Sequence, residues 1–130
     1  MSEHPNVQRM RDGYDAFAKG DSATLRELMT EDVVWHVPGR TPLSGDYEGI
    51  DAVLAYFARI METTGGSFRA EPRTLLADDT YGAAPVAITA HRGDKHLDVI
   101  NVHACRFREG RVAEFWETST DPDAAEQFYA

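Results

Sequence analysis

The sequence predicts an α+β domain: a conical barrel in which three N-terminal helices pack on a curved, mostly antiparallel sheet, followed by a short C-terminal helix. Three observations predict it. Apolar residues recur at helical spacing up to about residue 64. Beyond that point come strand-like stretches separated by turn chemistry, at Asp78-Asp79, Gly93-Asp94 and Glu109-Gly110. The 130 residues contain no repeat or linker-like tract, so residues 1–130 read as one domain with one core.

The first helix is expected from Pro5 to Lys19. Val7, Met10, Tyr14, Phe17 and Ala18 share one face, and Gly13 inside it costs about 1 kcal/mol against alanine. Gly20 ends that helix and Asp21 caps a short second one, whose stripe is Leu25, Leu28 and Met29. Val33 to Val37 reads as a strand, stopped by Pro38-Gly39. A polar loop with Pro42, Gly45 and Gly49 follows. A third helix runs from about Ile50 to Glu62, with Val53, Leu54, Phe57, Ile60 and Met61 on its apolar face. Four strands come next, roughly 68–77, 80–92, 95–107 and 111–119. Their short turns make neighbours antiparallel. Asp121-Pro122 starts a last helix, reaching Tyr129.

Composition narrows the function. The net charge is −9, and each half of the chain holds eleven acids, so acidity is spread rather than held in a tail. No basic stripe exists for a phosphate backbone or an anionic membrane surface, so neither nucleic acid nor membrane is an expected partner. The longest weakly polar run, 81–90, is too short to span a bilayer, and the first residues show no apolar signal core. The single cysteine, Cys105, excludes an intrachain disulfide and a multi-cysteine metal site. A soluble, cytoplasmic protein is the expectation.

Strand parity decides which side chains meet. A two-residue turn at Gly93-Asp94 sets Ala84 opposite His103 and Val86 opposite Asn101. The last hairpin admits two loops. A three-residue loop at 108–110 pairs Phe107 with Arg111, so that His103 faces Phe115 and Asn101 faces Glu117. A two-residue loop at 109–110 sets His103 against Trp116 and turns Glu117 the other way. The first is preferred because the family resemblance given below has the same parity. It gathers Asn101, His103, Phe115 and Glu117 on one face, and Ile100, Val102, Ala104, Val112 and Trp116 on the other. Neither face suits water and the helices can cover only one. A homodimer through the outer sheet face is therefore expected.

The order of motifs resembles the SnoaL-like group of the nuclear-transport-factor-like superfamily over essentially the whole chain. The matching residues are those from Tyr14 to Asp21, from Asp32 to Gly39, Pro42 to Gly45, Tyr47 to Gly49, and Val102 to Val112 followed by Trp116. The resemblance implies a conical α+β barrel around a deep pocket, usually dimeric, in a superfamily of polyketide cyclases, ketosteroid isomerases, dehydratases, epoxide hydrolases and non-enzymes. In an isomerase-like alignment the helix tyrosine falls on Gly13, the basic aspartate on Val37 and the proton-donating aspartate on His103. Tyr14 is one residue, about 100° of helix, from the needed position. A cyclase-like alignment places its histidine on His103 and its aspartate on Glu117, one methylene longer.

His103 and Glu117 are thus the candidate catalytic pair. An apolar pocket favours the protonated carboxyl and brings Glu117 towards proton exchange near neutrality. His103 can donate to a carbonyl oxygen and stabilise the enolate formed there. The pair suits isomerisation, aldol-type ring closure or dehydration beside a carbonyl, and no cofactor is required. Asn101, Tyr14, Trp35, Phe17, Phe57, Met61 and Phe115 are the candidate substrate-binding residues, with Tyr14 read first as core, Trp35 as pocket wall and the phenylalanines and Met61 as lining and core together. His91, His96 and Asp98 sit near an exposed turn without a metal-ligand motif, so no metal is expected. Three functions stay open. They are a cofactor-independent enzyme on a small, largely apolar carbonyl compound, a non-catalytic binding protein for a small hydrophobic ligand, and a dimeric interaction module with a vestigial pocket.

Overall fold

The computed structural model describes residues 3–130. Helix α1 spans Pro5–Lys19. Its first-turn proline needs no intrahelical N–H bond, and His4 Nδ1 accepts from the Asn6 amide. Gly20 closes it in the left-handed conformation at φ 67. Asp21 caps α2 (Ser22–Leu28) by accepting from the Thr24 amide. Met29, expected on the second helix, instead opens β1 (Met29–Val37) and is buried there. The stretch after Pro38, read as loop throughout, contains a short edge strand, β2 (Gly45–Glu48), which sets Tyr47 opposite Trp35. Four residues on a sheet edge carry too little alternation to be seen in sequence. Helix α3 is Ile50–Thr63.

The expected strand over 68–77 is broken in two, β3 (Arg69–Pro72) and β4 (Leu76–Ala77), both antiparallel to β5. Pro72 has no N–H to continue the ladder, and the Arg73 amide turns back to the Pro85 carbonyl. Then come β5 (Tyr81–Arg92), β6 (Lys95–Arg108), β7 (Arg111–Ser119) and α4 (Pro122–Tyr129). The strand order is β2-β1-β7-β6-β5-β3, with β1 parallel to β7 and the other neighbours antiparallel. The sheet is curved but not closed into a barrel.

The β5–β6 hairpin has the expected register, with Arg92 opposite Lys95 and Ala84 opposite His103. The β6–β7 hairpin corrects the preferred loop. Glu109 and Gly110 both take positive φ, at 52 and 78, and form a two-residue turn that pairs Arg108 with Arg111. That turn alone would point Glu117 outward. A bulge intervenes: Phe107 pairs with Val112, but Arg106 pairs with Glu114, so Ala113 is an extra residue. The bulge restores the parity of the three-residue loop with a register two residues further on. His103 therefore faces Glu117 rather than Phe115, and Asn101 faces Ser119.

Along β6 the odd-numbered residues from Leu97 to Phe107 point inward and the even-numbered ones outward. The inner face builds the main core with Met10, Ile88 and Phe128, and a second cluster joins Leu25, Val33 and Val53. Ile100 and Val102 on the outer face are 37% and 41% exposed. Among the described residues no helix is long and apolar enough to cross a membrane.

Candidate active site

Between α1, α2, α3 and the inner sheet face lies a cavity of about 120 Å³. An apolar cavity of roughly 150 Å³ binds a benzene ring, so this one suits a single ring or a short chain. Its wall is nearly all apolar. Trp35 and Phe115 stack with ring centres 3.6 Å apart, and Phe57 meets Trp35 edge-on. Cys105 lies on the wall, and burial pushes its thiol up to about 12, so it serves as packing.

The polar exception is a chain of three side chains from three elements. The Tyr14 hydroxyl of α1 is 2.8 Å from His103 Nδ1 on β6. His103 Nε2 is 3.0 Å from Glu117 Oε2 on β7. Asn101 Nδ2 donates to the other oxygen, Glu117 Oε1, at 2.6 Å. The Nε2 contact is close, yet the ring N–H is off line. Nε2 is left buried without a hydrogen bond of good geometry. Burial pushes the Tyr14 phenol well up, with the Glu117 charge as a second cause, so the hydroxyl keeps its proton. It can donate to Nδ1 of a neutral ring, which puts the ring proton on Nε2, or accept from an imidazolium.

Burial also pushes the Glu117 carboxyl up, and that is its largest single influence. The positive charge and close approach of His103, with the Asn101 hydrogen bond, together outweigh it, and the net shift is downward. This corrects the expectation of a carboxyl held protonated towards neutrality: in the unliganded site Glu117 is a carboxylate. A second cavity, also about 120 Å³, lies on the α4 side and shares Tyr56, Ile60, Phe68 and Glu117 with the first. Asn101 lines this second cavity, and its Oδ1 is buried without a partner.

Three comparisons bear on this geometry. A solved structure, Bal32a from a soil-derived mobile gene cassette, is 38% identical, with a TM-score of 0.93 over 97% of each chain. An uncharacterised protein of Mycobacterium tuberculosis is 29% identical over 100% of both chains. The fold is also that of IdmH from Streptomyces antibioticus, proposed to be a polyketide cyclase, at 19% identity and a TM-score of 0.78 over 95% of this chain and 98% of that one. The sequence pattern of the SnoaL-like domain matches residues 10–115. The chain belongs to the SnoaL-like domain family.

Within this SnoaL-like cavity, Tyr14, Phe17, Trp35, Phe57, Phe115, His103 and Glu117 all lie on the wall. Two candidate residues do not. Asn101 reaches the site through Glu117 and the second cavity. Met61 lies off both walls, because it sits about 80° round the helix from Val53 while Tyr56 and Ile60 face inward. The i, i+4 spacing of Tyr56 and Ile60 is the sequence signal that would have found them. The one-residue offset of Tyr14 from the isomerase-like position does not keep its hydroxyl from His103. His36 points outward, to Asp46 and Glu114, and stacks on Trp116. His91 and His96 face each other with ring centres 6.3 Å apart. Among the described residues no cluster of three His, Cys, Asp or Glu side chains is placed to hold a metal.

Proposed function

We propose that this SnoaL-like protein moves a proton next to the carbonyl of a small, largely apolar substrate bound in the Tyr14–His103–Glu117 cavity. The observation that carries the reading is His103 Nε2, an unsatisfied buried ring nitrogen 3.0 Å from a carboxylate on an apolar wall. A bound carbonyl oxygen would take the hydrogen bond from Nε2–H, and Glu117 Oε2 would take the proton from the adjacent carbon. The C–H electron pair then becomes the enolate double bond, and the oxygen charge is held by His103, with Tyr14 behind it. Return of the proton to another carbon gives isomerisation. Attack of the enolate carbon on a second carbonyl gives ring closure, the new alkoxide taking the proton back from Glu117, and in dehydration the β-hydroxyl takes that proton as its C–O bond breaks and leaves as water. The likeness in fold to IdmH, itself proposed to be a polyketide cyclase, is in keeping with this class of chemistry. None of these steps needs a cofactor.

A binding protein without chemistry is the second reading. The observation favouring it is the downward shift of Glu117, since a lower carboxyl pKa makes a weaker base. A panel of aromatic and cyclic ketones, screened by thermal shift and followed for deuterium exchange beside the carbonyl, separates the two. Exchange that is lost in Glu117→Gln supports the enzyme. Binding with exchange unchanged in that variant supports the carrier. No binding leaves an interaction module. The outer sheet face, with Ile100 and Val102 exposed, supports a homodimer through that face.

A further inference from the structure

We propose that the ligand of the Tyr14–His103–Glu117 cavity is a carboxylic acid, with its apolar body inside and its carboxylate held at the mouth by Arg9. Arg9 is the single exposed residue on the cavity wall, so the cavity opens where it stands. Its guanidinium is oriented. Nη1 donates to Asn6 Oδ1 at 2.6 Å, and Asn6, only 2% exposed, is itself tied by Nδ2 to the Asp78 carbonyl at 3.0 Å. The guanidinium lies against Gly110, where a Cβ would come within 2.8 Å of Arg9 Cζ. Among the described residues no carboxylate pairs with Arg9, whereas Arg11, Lys19, Arg26, Arg106 and Arg108 each have one. In a chain with 22 acids against 13 bases, a fixed cation at the rim of an apolar hollow has its other N–H groups unspent. Their planar fork matches a carboxylate in two parallel hydrogen bonds.

The placement names a substrate class and rests, for its reacting carbonyl, on the function proposed above. The substrate is then a small oxo acid, with its carboxylate on Arg9 and its ketone at His103 Nε2.

Trp35 on the cavity wall reports binding by fluorescence, in a Trp116→Phe background that removes the other tryptophan. The probes are 4-phenylbutanoate and 4-phenylbutanamide at low ionic strength. The acid is expected to bind about tenfold more tightly than the amide. Arg9→Gln should erase that preference while leaving amide binding in place, and Arg9→Lys should keep part of it. The proposal is overturned if acid and amide bind equally, if the acid does not saturate at millimolar concentration, or if Arg9→Gln keeps the preference. Should Arg9→Gln fail to fold, the acid-to-amide ratio of the parent protein and its decline at high salt decide the matter alone. Acid preference reads the cation at the mouth and deuterium exchange reads the His103–Glu117 pair, so acid preference without exchange defeats the proposed chemistry and leaves this assignment standing.

Discussion

Tyr14, His103 and Glu117 form a chain of contacts in which each supplies what the next lacks. The phenol keeps its proton, the imidazole has a nitrogen on either side, and the carboxylate faces the second nitrogen. Replacing Tyr14 by Phe leaves Nδ1 without its partner in a buried site. Stability should fall by about 1–3 kcal/mol, read by urea unfolding. Exchange beside a bound ketone should fall by about tenfold or more, as expected for a group that sets the ring's tautomer. Glu117 adds a pH signature. Its folded value lies below the ordinary 4.5, so its contribution to stability is present above about that pH and is lost as pH falls through the lower folded value. Melting temperatures between pH 6 and 3 should therefore drop more steeply in the parent protein than in Glu117→Gln. Parallel curves would show that the carboxylate is not paired in the folded state.

At the scale of elements, the site depends on two local devices, a bulge and a glycine. The bulge at Ala113 brings Glu117 to the inner face despite the two-residue turn before it. Deleting Ala113 should leave a regular ladder with Glu117 still opposite His103, so ketone binding should survive, whereas an alanine inserted after Phe115 should turn Glu117 outward and abolish binding, both measured by thermal shift. Gly82 on β5 packs where α1 meets the sheet. A Cβ there would stand 2.8 Å from Met10 Sδ and 2.9 Å from Cys105 Sγ, and the crowding should cost about 1–3 kcal/mol in Gly82→Ala. These devices also mark what a sequence can reveal. The α1 boundaries and the β5–β6 register were legible because Pro5, Gly20 and Gly93 act through local backbone preference. The inward face of β6 was legible from alternation, whereas the side of Glu117 was reached only through the family resemblance, since the loop preferred for it is not the one observed and the residue facing it is His103 rather than Asn101. The bulge was not, since nothing local distinguishes Ala113 from a ladder residue. Nor was Tyr14's bond to His103, which depends on how α1 is rolled against β6. The charge state of Glu117 was misjudged for a related reason: burial alone raises it, and the opposing influences, first the His103 charge and its close approach and then the Asn101 hydrogen bond, come from the neighbouring strand.

The whole molecule offers two faces of one sheet, and the helices cover only one. The outer face combines exposed Ile100 and Val102 with a polar strip: His36 bonded to Asp46 and Glu114 and stacked on Trp116, and Arg106 on the other oxygen of Glu114. Side-by-side apolar and paired charged groups give a surface that can exclude water at its centre and fix register at its edge. If a second copy covers this face, light scattering should report a dimer near twice 14.5 kDa, and Val102→Glu should convert it to a monomer without unfolding it. A parent protein that is monomeric at high micromolar concentration removes the argument from the two apolar faces. The strip also predicts how the fold responds to pH. Hydrogen bonds to Glu114 and Asp46 raise His36 above the ordinary 6.5. Its stabilising contribution is therefore complete below about that pH and is lost as pH rises through the higher folded value. Glu114 is lowered by the same bond to His36, so at neutral pH the carboxylate is in place and the imidazole is the partner that titrates. Melting temperatures should fall as pH is taken from 6 to 9, and His36→Gln should flatten that slope. A slope of the same size in the variant would place the titrating group elsewhere on the molecule.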